Sequence, residues 1–169
     1  MIKKTVQNAI NGQIVKEMYS ANLYLSMVAY FHSINLKGFA NWMQVQVQEE
    51  TFHAMKFFTF ILDRNGEAII GKIDAPPTKW KSPLHAFQEV LKHEEAVTAS
   101  INALADLSHK ENDHATTVLL QWFITEQVEE EANTSDIVAR LKLAGDSPGG
   151  IFLLDNELKT RVFTPPVAV

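Results

Sequence analysis

The stretch Gln48-Glu49-Glu50-Thr51-Phe52-His53-Ala54-Met55 decides how the rest of the chain is read. It sets a glutamate and a histidine three residues apart inside a long helical pattern, and residues at i and i+3 share a helix face. That face is apolar, with Met43 seven residues before Glu50 and Phe57 four after His53. The pair therefore points inward, where a carboxylate beside an imidazole is costly unless something neutralises it. Taken alone, an inward His53 reads as a satisfied core histidine, and an inward glutamate as an error of helix phase or one half of an ion pair with Lys or Arg. The neighbouring helices must decide.

Working outward, the same helix spans about 38–64, with an inner row Phe39, Met43, Gln46, Glu50, His53, Phe57 and Phe60. Asn65-Gly66 ends it, glycine being free to take a left-handed conformation. A first helix over about 4–34 precedes it, with Ile10, Ile14, Glu17, Ala21, Tyr24 and Val28 on one row. Pro76-Pro77 forbids helix in the segment that follows, and a connection of this length needs a reason. A helix of about 27 residues is about 40 Å long. Sixteen or so extended residues reach roughly 53 Å, so the segment can run back along the bundle and leave the second and third helices parallel. Ser82-Pro83 is an N-cap signature and opens a third helix, 82–110, with Phe87, Leu91, Glu94, Thr98, Ile101 and Ala105 inward. A short turn at Glu111-Asn112-Asp113 implies an antiparallel fourth helix, 113–144, with Leu119, Phe123, Gln127, Glu130, Ile137 and Leu141 inward and Gly145 closing it. Ser147-Pro148 repeats the cap signature and opens a fifth helix, 148–161, too apolar for a free tail and expected to dock on a symmetry mate. Thr164-Pro165-Pro166 ends regular structure. The chain reads as all-α: one domain over 1–169, a four-helix bundle with a long crossover between helices two and three and a short fifth helix.

Composition narrows the function. A net charge of −5 without a basic cluster argues against nucleic acid, whose phosphates require grouped Lys and Arg. The absence of cysteine removes disulfides, zinc ribbons, iron–sulfur clusters and thiol chemistry, and fits a cytoplasmic protein. No apolar run approaches the ~20 residues that span a membrane, and the N-terminus lacks a signal core.

Each long helix places polar groups on its inner row: Glu17; Glu50 and His53; Glu94; Gln127 and Glu130. At a fixed rise per residue, Glu17 lies about 13 residues into the first helix and Glu50 about 14 from the end of the second, so the two meet near mid-bundle. The same count brings Glu94 and Glu130 to the middle. No Lys or Arg sits on these rows to pair with them. Four uncompensated buried carboxylates are untenable, whereas two divalent cations cancel four carboxylates. Oxygen-rich ligation with one imidazole suits iron(II) or manganese(II) better than zinc. Di-metal carboxylate bundles use a glutamate from each of two helices and a Glu-x-x-His from each of the other two. Here one Glu-x-x-His is present, and the second is altered to Gln127-x-x-Glu130. One metal would take Glu17, Glu50 and His53, the other Glu94 and Glu130, with Glu50 as bridge. Glu49, Glu126 and Glu129 sit one position off the inner rows, where a solvated face and a metal-binding face are equally compatible with the spacing. Tyr24 reads either as a core tyrosine or as a hydrogen-bonding or redox-active neighbour of the metals. Trp122 reads as packing, and the remaining histidines show no ligand spacing.

On Glu17, Glu50, His53, Glu94, Gln127 and Glu130 in register, with Tyr24, Trp122, the crossover and the Ser147-Pro148 helix, the chain resembles the non-haem bacterial ferritins. The resemblance implies a ferritin-like fold and a homo-oligomeric hollow shell of 24 subunits. It implies ferroxidase activity: Fe(II) is oxidised by O2 or H2O2 at a di-iron centre within each subunit, and ferric oxyhydroxide is stored inside. It makes Glu49, Glu126 and Glu129, with Glu130, a third iron site. Haem-binding bacterioferritins carry a methionine after the glutamate of helix two and a Glu-x-x-His on helix four. Thr51 and Gln127-x-x-Glu130 stand at those positions, so no haem is expected. A peroxide-scavenging di-iron oxidoreductase without storage as its main role is the competing expectation.

Overall fold

Five helices form because long apolar rows at helical spacing alternate with strong stop signals. In the computed structural model, which describes residues 1–165, they are α1 (Lys4–Ser33), α2 (Lys37–Asp63), α3 (Pro83–Lys110), α4 (His114–Ala144) and α5 (Pro148–Leu158). Pro166 and the end of the 1–169 range fall outside the described residues. The bounds of α1 to α4 lie within one residue of the sequence reading, whereas α5 stops three residues earlier than 161.

Caps set these limits. Ser82 Oγ accepts from the His85 amide at 3.1 Å, and Ser147 Oγ from the Gly150 amide at 3.3 Å, each with proline next in sequence. Asp113 caps α4 by accepting from the Thr116 amide at 3.1 Å, and the same carboxylate receives the Arg64 guanidinium at 2.6 Å. Asn65, not Gly66, takes the left-handed conformation after α2, with φ 53°. Asparagine tolerates that region, and Asn35 and Asn112 repeat the device in the short α1–α2 and α3–α4 turns. Gly66 serves a different need, since a Cβ there would press on the side chains of Ile2 and Ile61.

The helix directions follow from pairs at opposite ends. Lys3 before α1 meets Glu111 after α3, and Arg64 after α2 meets Asp113 before α4, so both pairs are antiparallel. Phe39 and Trp42 at the start of α2 pack on Phe87 near the start of α3, which makes α2 and α3 parallel. The crossover runs back along α1 and is tied to it by polar side chains. Gln7 and Asn11 accept from the Glu67 and Ile69 amides at 3.1 and 3.0 Å, Asn11 donates to the Glu67 carbonyl, and Ser26 donates to the Pro77 carbonyl. These bonds pair the backbone polar groups on the side of the crossover that faces α1.

Two apolar clusters fill the bundle and leave its middle polar. One, toward the α1–α2 turn, contains Met27, Phe31, Phe39, Trp42, Met43, Phe87, Ile137 and Leu141. The other, toward the α2 C-terminus, contains Ile10, Ile14, Phe57, Ile61, Ile101, Leu120 and Phe123. Each buried side chain of this size contributes about 1.5–3 kcal/mol, and together the clusters hold the helices in register around the polar layer. The seam of α3 is Val90, Glu94, Val97, Ile101 and Leu104; Leu91, Thr98 and Ala105, expected inward, are half-buried at its edge. Phe60 and Leu119 are half-buried likewise.

The fifth helix packs one face on its own chain, against α2 and α4. Leu154 and Leu158 are buried against the first cluster. Asp155 Oδ1 accepts from the Gly38 and Phe39 amides at 2.8 and 3.1 Å. It thus supplies the cap that α2 lacks in its own sequence, where Leu36 offers no side-chain acceptor. Phe152 and Leu153 remain exposed on the opposite face.

Candidate metal centre

Between the two clusters the inner rows of all four long helices turn polar. Gln13, Glu17, Gln46, Glu50, His53, Glu94, Gln127 and Glu130 are all buried there. A helix repeat that delivers isoleucine and phenylalanine to the seam on either side must also deliver whatever stands at the intervening positions.

Glu17 from α1 and Glu50 and His53 from α2 form the tightest group. Each offers one ligand atom, and these atoms lie within 4.8 Å of one another. His53 Nδ1 is 3.5 Å from Glu50 Oε2, too far for a hydrogen bond. Glu17 Oε1 accepts from Gln13 Nε2 at 2.8 Å. Its Oε2 and the Oε2 of Glu50 have no hydrogen-bond partner, though both are buried. Buried acceptors are rarely left unpaired, so two carboxylates, each with an unpaired oxygen and grouped with an imidazole, are the chemistry of a cation site. The donors, hard oxygens with one nitrogen, fit iron(II).

Glu94 and Glu130 lie outside that compact group and have donors of their own. Glu94 accepts from the Tyr24 hydroxyl, and its Oε2 lies 3.3 Å from Gln127 Nε2. Glu130 Oε2 accepts from Gln46 Nε2 at 2.9 Å. Tyr24 is therefore bonded to a carboxylate of the polar layer and does more than fill the core. The Gln127 amide donates to the Glu94 carboxylate and backbone and to Thr98 Oγ1 at 3.2–3.3 Å. It orients Glu94 and is not part of the compact group. Trp122 also exceeds simple packing, because its ring stands edge-on to His53 at 5.4 Å and carries the Lys56 ammonium over its face at 4.3 Å.

Electrostatics record the cost of this layer. Burial, followed by the field of Glu94, Glu17 and Glu130, holds the Glu50 carboxyl well above its ordinary range. Burial also raises Glu17, pushes Glu94 up to about 7 and, with the field of Glu94 and Glu49, pushes Glu130 up to about 8. Burial lowers His53 and His93 to about 4, so the His53 imidazole is neutral at pH 7 and able to ligate.

These shifts predict a pH dependence. Unfolded glutamate titrates near 4.3. Above that pH the folded chain retains protons at Glu94 and Glu130 that the unfolded chain has lost, and stability falls as pH rises until the folded groups ionise too. The two histidines act oppositely, but only as pH falls below about 6.5, where the unfolded chain protonates them first. The unopposed window is pH 6.5–8. The melting temperature of metal-stripped protein is expected to fall across it. With saturating zinc(II) the slope should reverse, because ligation requires the ionised carboxylates. A flat profile in both conditions would show that Glu94 and Glu130 titrate normally.

Glu49, Glu126 and Glu129 are placed less compactly. Glu49 and Glu126 are half-buried and Glu129 is exposed. Burial, reinforced by the Glu126 and Glu129 charges, raises Glu49 although the Arg161 guanidinium opposes it. That guanidinium lies 2.7 Å from Glu49 Oε2 and also donates to Gln46 Oε1 at 2.5 Å. A cation therefore does reach the polar layer, from the tail beyond α5 and not from an inner row. No periodicity linked Arg161 to α2, so the sequence held no signal for it.

Residues 7–144 match the family described as a ferritin-like domain. A bacterial non-heme ferritin of Bacteroides fragilis is 47% identical over 161 residues, covering 95% of this chain and 100% of the relative. One from Staphylococcus saprophyticus is 37% identical over 163 residues, covering 96% and 98%. Among solved structures, a closed form of the Archaeoglobus fulgidus ferritin engineered by site-directed mutagenesis superposes with a TM-score of 0.96 at 49% identity, covering 97% of this chain and 100% of that one. The open-pore ferritin from the same archaeon gives 0.95 at 48%, covering 96% and 100%. A five-helix bundle with a carboxylate–imidazole layer at its centre, matched at these levels along nearly its whole length, belongs to the ferritin family.

Proposed function

We propose that this chain is a ferroxidase and an iron-storage subunit. The single observation that carries the reading is the convergence of Glu17, Glu50 and His53 ligand atoms within 4.8 Å, with two buried carboxylate oxygens left unpaired, in a member of the ferritin family. Iron(II) is the substrate. Glu17, Glu50 and His53 bind one ion. Glu94 and Glu130 bind a second, with Glu50 between them, and Gln127 and Tyr24 orient Glu94. Each iron(II) gives up one electron to O2 or H2O2, and hydrolysis of the ferric product releases protons.

The carboxylates have a second task. Binding of iron(II) displaces the protons that burial holds on Glu94 and Glu130, which offsets part of the positive charge the ions bring. The apolar clusters on either side exclude bulk water and keep the ligand geometry fixed. The second position, which lacks an imidazole, is the weaker one and suits a metal that must leave. Glu49, Glu126 and Glu129, with Glu130, form a third iron position on the way out.

The whole chain acts as one domain within a homo-oligomeric shell of 24 subunits, where the product accumulates as ferric oxyhydroxide. No haem, nucleic acid or membrane takes part, and the protein is cytoplasmic. Among the described residues no helix is long and apolar enough to cross a membrane.

Hydrodynamic mass and oxygen consumed per iron, measured on one preparation, test this. A particle of several hundred kilodaltons that deposits a ferric core is expected from a chain of 19.0 kDa. A particle of a few chains that consumes peroxide without retaining ferric product would instead make the chain a di-iron peroxide-scavenging oxidoreductase.

A further inference from the structure

We propose that Arg161 is a tethered cation that occupies the Glu49 carboxylate until a metal ion displaces it, and so sets how tightly the third position holds iron. The inference rests on the reading of Glu49, Glu126, Glu129 and Glu130 as that position.

The placement of Arg161 is built and does not depend on a loose side chain. After α5 the tail turns back along α2, and Asn41 Nδ2 clamps the turn by donating to the Leu158 and Arg161 carbonyls at 3.2 and 3.0 Å. The guanidinium carbon lies 4.5 Å from the centroid of the Trp42 ring, which supports it from below. Two residues on, Phe163 packs against Phe52, which itself packs on His53 and Trp122. Held at both sides, the guanidinium divides its donors. One nitrogen bonds Glu49 at 2.7 Å, and the other bonds Gln46 Oε1, whose amide in turn donates to Glu130 Oε2 at 2.9 Å. One side chain thus reaches a carboxylate reserved for the third position and, through Gln46, a carboxylate shared with the second.

Among the described residues no ion pair is made to Glu126 or Glu129. Lys56, the nearby ammonium, is engaged over the Trp122 ring. Among the described residues Arg161 is therefore the cation that makes an ion pair on this acidic face, and it neutralises one carboxylate. A divalent ion can take several of these carboxylates at once, so it outcompetes the guanidinium at Glu49 when iron arrives and yields to it when iron moves on. Arg161 lowers the occupancy of a transit position and keeps Glu49 from repelling its neighbours in the meantime. It is a positioning residue and does not touch the iron.

Cobalt(II), which air does not oxidise in a carboxylate site and which reports coordination by visible absorption, is the probe. Intact oligomer is titrated, and binding is followed by equilibrium dialysis and absorption. Arg161→Gln is expected to tighten the weakest cobalt position about tenfold, the scale of a charge-assisted contact removed from a competitor. It should also slow chelator-driven release of that ion by a similar factor. Arg161→Lys should fall between, since an ammonium can pair with Glu49 but cannot fork to Gln46. Damage to the fold would loosen the position and not tighten it, so the sign of the change separates the two. If Arg161→Gln leaves that affinity unchanged or lowers it while Glu49→Gln abolishes the position, Arg161 has no such role and the third-position reading stands. If Glu49→Gln leaves cobalt stoichiometry and affinity intact, the third-position reading falls and the Arg161 assignment falls with it.

Discussion

Glu50→Gln is expected to lower the initial rate of ferric absorbance, after addition of iron(II), by about a hundredfold or more, while making metal-stripped protein more stable. Loss of a residue that merely orients a ligand costs about 10–100-fold, and Glu50 is the residue proposed to sit between both metals, so the upper end is a floor here. The stability gain has a separate cause. Glu50 is buried with one oxygen unpartnered and sits in the field of three other carboxylates. An amide of the same shape carries no charge into that layer. Burial that raises the Glu50 carboxyl well above its ordinary range costs folding free energy at neutral pH that a neutral amide does not incur, so the metal-stripped variant should melt at a higher temperature. The two readouts together are diagnostic, since a structural glutamate would lose stability and a surface one would change neither. Unaltered oxidation kinetics in this variant would remove Glu50 from the bridging position.

Gly38→Ala is expected to cost about 3 kcal/mol, because among the glycines it is Gly38 whose added Cβ would meet backbone at the shortest distance. A Cβ at Gly38 would sit on the backbone carbonyl of Asp155, well inside contact distance. Backbone cannot swing aside as a side-chain tip can, so α5 must lift off α2. Overpacking of this kind costs about 1–3 kcal/mol, and the displaced helix also takes the Asp155 cap away from the Gly38 and Phe39 amides, worth about a further 1 kcal/mol. Thermal unfolding measures the loss, and faster proteolysis within 145–165 locates it. Gly12→Ala is the control. Gly12 lies inside α1 with open space around its Cβ position, and alanine there should stabilise by roughly 0.5–1 kcal/mol. If both substitutions behave alike, α5 does not dock as described. Because Arg161 is carried on the tail beyond α5, Gly38→Ala should also disturb the Glu49 pairing, which ties the fold of the C-terminus to the metal layer.

The parts of this protein that could be read from its sequence are those encoded by short-range period. Glu17, Glu50, His53, Glu94 and Glu130 stand on apolar rows, and a helix's fixed rise gives their heights. The burial of all five and the layer they share at mid-bundle follow from that arithmetic. Ser82-Pro83 and Ser147-Pro148 were legible because a cap acts within three residues. What failed was of two kinds. Rows drawn with slightly wrong phase put Leu91, Thr98 and Ala105 inward on α3, where Val90, Val97 and Leu104 are the buried set, because one residue of drift rotates a side chain by about 100°. Contacts between distant segments that stand on no helical row were invisible altogether. Asp155 on Gly38 and Arg161 on Glu49 join positions more than a hundred residues apart with no repeating pattern between them.

The sequence by itself therefore determined the helices, the crossover and the carboxylates that must face one another, since each depends on local periodicity, capping and chain reach. Only the tertiary structure decided which carboxylate oxygens stay free and which are taken by Tyr24, Gln46 and Gln127. It also decided that α5 folds onto its own α2 and delivers a cation to the edge of the Glu50–His53 layer. Those outcomes rest on distances set when four helices and a tail pack together, and packing sums contributions from the whole chain that no single stretch contains.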